Sequence, residues 1–184
     1  GADVLFMPDE LYPDGFSTSV SVHRITEQLC GRFRPGHFEG VATVCARLFG
    51  ITRADVAIFG EKDFQQLQVI RRLVRDLDIP VEILPGPTAR AEDGLALSSR
   101  NAYLTAEERA MAGRLNRILA EAAASLRAGG PVAEVEAQAV ETLRHAGFSQ
   151  VDYVETRHPD SLVRLGPVSR ELLGQPYVLG PLGE

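Results

Sequence analysis

The stretch Val56-Ala57-Ile58-Phe59-Gly60-Glu61-Lys62-Asp63-Phe64-Gln65-Gln66-Leu67 decides the fold. Four apolar residues in a row read as a buried strand that runs straight into Gly60. Beyond Asp63, the residues Leu67, Ile70, Val74 and Leu77 recur at helical spacing. Pro80 ends that helix, and Val81-Glu82-Ile83-Leu84 reads as the next strand. Strand, helix and strand with short joints form a βαβ unit, which implies part of a parallel sheet.

Upstream, Arg34-Pro35-Gly36 breaks the chain, and Val41, Val44, Cys45 and Leu48 predict a helix that Gly50 ends. Thr18, Val20 and Val22 alternate with Ser17, Ser19 and Ser21, the period of a strand. Asp14-Gly15 predicts a turn, and Val4-Leu5-Phe6, stopped by Pro8, predicts a short buried strand. Downstream, Thr105-Ala106-Glu107-Glu108 fits a capping box. The helix it opens buries Leu115, Ile118, Leu119, Ala122 and Leu126, and Gly129-Gly130-Pro131 stops it. Another helix carries Val132, Val135, Ala139 and Leu143 and ends at Gly147. Residues 151–156 and 177–179 are strand candidates.

Composition bounds the class. Apolar residues are 45% and charged residues 24% of the 184, which excludes a disordered chain. A chain of this size buries ~70% of its unfolded surface and needs no disulfide or metal staple. No apolar run approaches the ~18 residues of a membrane span. Twenty-five acids against 19 bases give a net charge of −6, which argues against a broad nucleic-acid surface. Only Cys30 and Cys45 are cysteines, so a reducing cytoplasm is expected. Cys45 reads as core, whereas Cys30, beside Gly31, is a thiol with nothing nearby to activate it. The histidines at 23, 37, 145 and 158 lack metal-ligand spacing, and no metal residue is assigned. The chain shows no basic leader, has no initiator Met and opens into an apolar run, as a piece of a longer protein would.

Three segments concentrate chemistry. Gly60-Glu61-Lys62-Asp63 lies at the carboxyl end of a strand, where open α/β sheets bind ligands and a helix start favours phosphate. Lys62 can place a point charge on a phosphate oxygen. The plain alternative is an ordinary strand-to-helix turn with surface charges. Asp93-Gly94-Leu95-Ala96-Leu97-Ser98-Ser99-Arg100-Asn101 joins two hydroxyls to Arg and Asn, a set suited to a triphosphate. Its alternative is a polar loop before a capped helix. In Arg34-Pro35-Gly36-His37-Phe38-Glu39-Gly40-Val41 the turn is fixed by Pro and Gly, and Arg34 and His37 can face an anion.

Together these segments, in this order and spacing, resemble the pantothenate synthetase (pantoate–β-alanine ligase) family. The openings Val4-Leu5-Phe6-Met7-Pro8 and Tyr12-Pro13-Asp14-Gly15 share the likeness, as does Val151-Asp152-Tyr153-Val154. It covers the chain from Ala2 to about Leu165. The resemblance implies a fold of class α/β. The C-terminal part of a Rossmann-like parallel-sheet nucleotide-binding domain (residues 1–100) would precede a small helix-and-strand domain (101–184). It implies a cytoplasmic homodimer that condenses pantoate with β-alanine through a pantoyl adenylate, splitting ATP, with Mg²⁺, into AMP and pyrophosphate. Gly60, Glu61, Lys62 and Asp63 match the ATP-binding string, Gly60 and Asp63 towards the ribose and Lys62 towards the phosphates. Gln66 matches a pantoate-binding glutamine, and Ala89 a backbone contact to adenine. Leu97, Ser98, Ser99 and Arg100 match the second ATP segment. Lys62 and Arg100 are the implied catalytic residues, acting by charge neutralisation.

The chain departs from the family in two places. No histidine here sits in the family's His-x-Gly-His signature, and a second pantoate-binding glutamine is missing with it. The ending Tyr177-Val178-Leu179-Gly180-Pro181-Leu182-Gly183-Glu184 is interrupted by Pro and Gly where a longer apolar run is expected. The chain alone is therefore expected to be inactive as a ligase. The alternative is a non-catalytic nucleotide-binding, pantoate-binding or dimerisation module.

Overall fold

The apolar run at 56–59 does form a strand. In the computed structural model, which describes residues 2–165 and 178–179, β1 spans Val56–Gly60 and β2 spans Glu82–Gly86. The two pair in parallel, with Val56 opposite Glu82 and Gly60 opposite Gly86. Between them lie a 3-10 turn, Glu61–Asp63, and a helix, Phe64–Asp76. The expected βαβ unit is therefore present. With the preceding helices numbered in chain order, α1 is Cys30–Phe33, α2 is His37–Thr52 and α3 is Phe64–Asp76.

One face of the β1–β2 pair packs on α2 and α3. Ala57, Phe59 and Ile83 meet Ala42, Phe49, Ile70 and Leu73 there, and Val81 closes the cluster just before β2. Burial of such side chains contributes ~1.5–3 kcal/mol each. A second cluster joins the beginning and end of the described chain: Ile25, Leu29, Phe38 and Val69 pack with Tyr153 and Leu162. A third holds the helices that follow. These are α4 (Ala106–Ala112), α5 (Arg114–Arg127) and α6 (Val132–His145), with Ile118, Ala122, Ala139, Leu143 and Val154 at the centre. The capping box is formed: Glu108 N–H donates to Thr105 Oγ1 at 3.2 Å, and Thr105 N–H donates to Glu108 Oε2 at 2.8 Å. A two-residue strand β3, Thr156–Arg157, pairs antiparallel with β4, Val178–Leu179.

Several expectations change. Residues 4–6 form no strand: Val4 is 85% exposed, and no described strand lies beside them to pair with. Residues 17–22 are not a strand either. Val20 N–H goes to the hydroxyl of Thr43 at 2.9 Å instead of to a ladder, while Val20 and Val22 still pack on the core. Helix α2 runs past Gly50 to Thr52 and is closed by Arg53 in a left-handed conformation (φ 49°). Gly50 has no such φ and simply continues the helix. Its buried face is Phe38, Ala42, Thr43 and Phe49, with Cys45 half-buried beside them.

The helix expected from 105 onward divides at Gly113. A Cβ there would lie 2.6 Å from Asp93 Oδ2, so the bare glycine is where the 93 loop touches the helix pair. Of the candidate strand 151–156 only Thr156 qualifies, because no described partner lies beside 151–155. Tyr177 and residues 180–184 lie outside the described residues.

Candidate functional site

In a parallel pair both strands point the same way, so Gly60 and Gly86 stand side by side at the carboxyl end. The two charged segments leave the sheet from there. Gly60, extended at φ −66°, leads into Glu61–Asp63. Lys62 is half-buried in that turn, and its Nζ lies 3.8 Å from Asp63 Oδ2, with Glu61 and Asp63 exposed on either side. From Gly86, three residues reach Ala89, so its Cα lies within ~11 Å of Gly86.

Ala89 then meets Leu97. Leu97 N–H donates to the Ala89 carbonyl at 2.9 Å, and Ala91 N–H donates to the Leu95 carbonyl at 2.8 Å. The chain turns between them at Gly94 (φ 90°), so 89 and 97 become neighbours although they are eight residues apart. Ser98 follows as the cap of a 3-10 turn, Ser99–Tyr103, its Oγ accepting from Arg100 N–H at 3.3 Å. Ser99 and Arg100 are exposed, and Asn101 Nδ2 ties the turn back to the Ala96 carbonyl at 3.0 Å. Asp93 braces the loop against α4 through a two-pronged pair with Arg109. That hydrogen bond holds the Asp93 carboxyl below its ordinary value. Hydroxyls, backbone and basic side chains at a sheet end suit a polyphosphate.

Gln66 lies in the first turn of α3, half-buried. Its neighbour Gln65 is the residue that sequence reasoning missed. The buried amide donates to the carbonyls of Ile25 (2.7 Å) and Gln28 (2.8 Å) and accepts from Cys30 N–H (3.1 Å). It clamps the start of α3, just past the Gly60–Asp63 turn, to the loop that leads into α1 and the 34–37 turn. Leu29 in that loop holds a left-handed φ of 49°, unusual for a branched residue. Gly36 caps α2 in the left-handed region, placing His37 at the helix start with its ring 5.0 Å from that of Phe38. Cys30 packs half-buried in α1 with Arg34 Nη1 4.0 Å from its Sγ, and burial pushes the Cys45 thiol up to about 11, so Cys45 does not read as a nucleophile.

A second polar group was also invisible in the sequence. Glu155 accepts from Arg157 through Nε at 2.9 Å and also through Nη2, and from Arg32 at 3.2 Å. Arg157 continues to Gln28 Oε1 at 2.6 Å and to the Leu162 carbonyl at 3.0 Å. Burial would raise the Glu155 carboxyl, but the bonds and charges of Arg157 and Arg32 prevail and hold it below its ordinary value. Alongside runs Glu136, buried in α6, which accepts from Thr156 N–H (2.5 Å) and from Arg164 (2.6 Å). A hollow of about 300 Å³ opens between Glu136, Tyr153, Glu155 and Arg164. Its carboxylates are already engaged, so it offers a ligand less than the sheet end does. Alternating charges at 155 and 157 ordinarily read as solvated, which is why no sequence signal exposed this network.

The comparisons with known proteins bear on the family and the fold. The family profile described as Pantoate-beta-alanine ligase matches residues 1–178. The chain is 58% identical to the pantothenate synthetase of Caulobacter vibrioides, over all of this chain and 61% of that protein. A crystal structure of pantothenate synthetase from Thermus thermophilus superposes with a TM-score of 0.82 at 48% identity, over 88% of this chain and 59% of that one. A pantoate-beta-alanine ligase from Francisella tularensis, solved in complex with beta-gamma ATP and beta-alanine, gives a TM-score of 0.66 at 32% identity, over 79% of this chain and 52% of that one. The chain thus spans about 60% of the length of the curated relatives it matches. Among the described residues, no helix is long and apolar enough to cross a membrane. On the profile match and the identity to these relatives, the chain belongs to the pantoate-beta-alanine ligase family.

Proposed function

We propose that this chain carries the ATP-binding and part of the pantoate-binding surface of a pantoate–β-alanine ligase, at the carboxyl end of β1 and β2. One observation supports this reading above the others. Gly60 and Gly86 are register partners, so the Gly60–Asp63 segment starts beside the residue from which the chain runs, three residues on, into the Ala89–Arg100 segment. Gly60 and Asp63 would face the ribose, and the Ala89 and Leu97 backbones the adenine. Lys62, Ser98, Ser99 and Arg100 would hold the phosphates, and Gln66 would hold pantoate. The division into residues 1–100 and 101–184, the homodimer and the cytoplasmic setting belong to the same reading.

In the first step the pantoate carboxylate attacks the α-phosphorus. An acyl–O–P bond forms, and the bond to the pyrophosphate oxygen breaks. Charge builds on the departing oxygens, and Lys62 and Arg100 would neutralise it. Mg²⁺, carried in with ATP, would supply further neutralisation of that charge. In the second step the amine of β-alanine attacks the acyl carbon, AMP leaves with the carboxylate oxygen, and the amine releases its proton. Gln66 can accept from the pantoate hydroxyl and donate to its carboxylate, which orients the nucleophile.

The 184 residues contain no His-x-Gly-His string, so the chain by itself is expected to bind without turnover. AMP release that depends on both pantoate and β-alanine, above an enzyme-free blank, would contradict that. Calorimetric titration of pantoate in the presence of ATP tests the site. Gln66→Ala should weaken binding at least ~10-fold, the loss of a charge-assisted hydrogen bond or two. Unchanged affinity removes Gln66 from the site.

A further inference from the structure

The chain that leaves Gly86 does not run straight into the helices. Residues 89–97 fold back as a small hairpin. Arg90 faces Ala96 in an antiparallel bridge, Gly94 N–H donates to the Ala91 carbonyl at 2.9 Å, and Arg90 Nη1 donates to the Gly94 carbonyl at 3.1 Å. The tip of this hairpin rests on the helix pair α4–α5. Asp93 faces Arg109 of α4 there, Oδ1 accepting from Nη2 at 3.1 Å and Oδ2 accepting from Nη1. Buried Gly113, between the two helices, leaves room for that carboxylate. The Asn116 side chain of α5 lies against Gly94: a Cβ on that glycine would stand 3.1 Å from Asn116 Nδ2.

The base of the hairpin carries the chemistry. Leu97 leads into Ser98, and the chain then passes through the Ser99–Tyr103 turn to Thr105, the cap of the helix that bears Arg109. Asp93 and Arg109 are 16 residues apart and joined side chain to side chain, with residues 98–100 inside the loop they close. Leu97, Tyr103 and Leu104 are 58%, 86% and 36% exposed, so apolar burial does little to hold that loop. A two-pronged Arg–carboxylate pair fixes orientation as well as distance. We propose that Arg109 is a positioning residue for nucleotide binding: with Asp93 it closes the 93–109 loop and sets where Ser98, Ser99 and Arg100 meet the phosphates. Arg109 acts through Asp93 and touches no nucleotide. The proposal rests on the nucleotide reading of the 97–100 segment.

Two physical arguments separate this role from its rivals. The first is stability. Both partners are partly exposed, and such pairs add little to the stability of a whole chain. Freeing the loop instead lowers affinity in proportion to the time it spends out of place. The second is sign. If Arg109 drew ATP by direct contact or by its field, Asp93→Asn would free that cation, remove a repelling anion and tighten binding. If Arg109 acts through Asp93, the same change weakens binding. Asn keeps an acceptor for Leu95 N–H, which Asp93 Oδ1 takes at 3.2 Å, so the turn itself is retained.

The test is calorimetric titration of ATP with Mg²⁺ into each variant, beside thermal melting of each free chain. Arg109→Ala and Asp93→Asn should each bind roughly 10-fold more weakly than the unaltered chain. The double variant should bind no more weakly than the weaker single, because both remove one contact. Arg117→Ala takes an equal charge from α5, where Arg117 lies 3.8 Å from Glu121, and should bind as the unaltered chain does. All should melt with the unaltered chain. If Arg109→Ala melts early, Arg109→Lys, which keeps the charge and loses the fork, takes its place under the same criteria. Equal affinity in both singles, tighter binding by Asp93→Asn, additive losses in the double variant, or a loss that Arg117→Ala shares overturns the proposal. So does an affinity loss that follows the melting temperature across the variants. No ATP binding by the unaltered chain overturns the nucleotide reading itself and this proposal with it, whereas binding that these variants leave unchanged overturns this proposal alone.

Discussion

Gln65 and Gln66 are adjacent and chemically identical, yet they do different work. Gln66 is half-buried in the first turn of α3, whereas Gln65 spends both its amide atoms on the backbone of residues 25–30. Gln65→Leu keeps the volume and removes three hydrogen bonds around buried backbone. It should cost about 2 kcal/mol, read as a lower urea midpoint; an unchanged midpoint contradicts the clamp. Glu155 makes a pH prediction. Its carboxyl is held below the ordinary 4.5, so its contribution is present above that value and is lost as pH falls through the lowered one. Thermal melts should therefore drop below about pH 4.5, and Glu155→Gln, less stable at neutral pH, should show a flatter acid limb. Parallel acid limbs for the two proteins would place the acid sensitivity elsewhere.

At the scale of elements, the helix cap is the plainest link from sequence to stability. Thr105 and Glu108 satisfy each other's orphan N–H groups at the start of α4. Thr105→Ala should cost ~1 kcal/mol and lower the melting temperature by several degrees; no change would mean the cap is redundant. The βαβ unit and this box were legible because local chemistry alone specifies them: apolar periodicity, a strand-to-helix glycine and a reciprocal side-chain pair. Residues 4–6 and 17–22 misled because a strand needs a neighbour, and alternation or a short apolar run says nothing of whether one is beside it. Gly50 and Gly113 show the same limit for glycine. Neither has a positive φ: Gly50 passes through a helix, whereas Gly113, at φ −59° between α4 and α5, stands where Asp93 occupies the space a side chain would need. In the site, the 60–63 and 97–100 strings were readable as chemistry. Their departure from the same end of the sheet was not, since it depends on the register of Gly60 with Gly86 and on the turn at Gly94.

At the scale of the whole molecule, a chain with net charge −6 sends two segments that carry basic side chains out from one end of a small parallel sheet. The earlier part of the chain is tied to its later part by the Ile25–Tyr153–Leu162 cluster and by the Arg157–Gln28 bond. The central claim is that a nucleotide binds at that sheet end through Lys62 and Arg100. Calorimetric titration of ATP with Mg²⁺ into the unaltered chain and into the Lys62→Ala, Arg100→Ala double variant tests it most directly. Two charge-assisted phosphate contacts at ~1.5–3 kcal/mol each should make the double variant bind at least ~100-fold more weakly. No heat of ATP binding to the unaltered chain, or equal affinity in the double variant, would contradict the account.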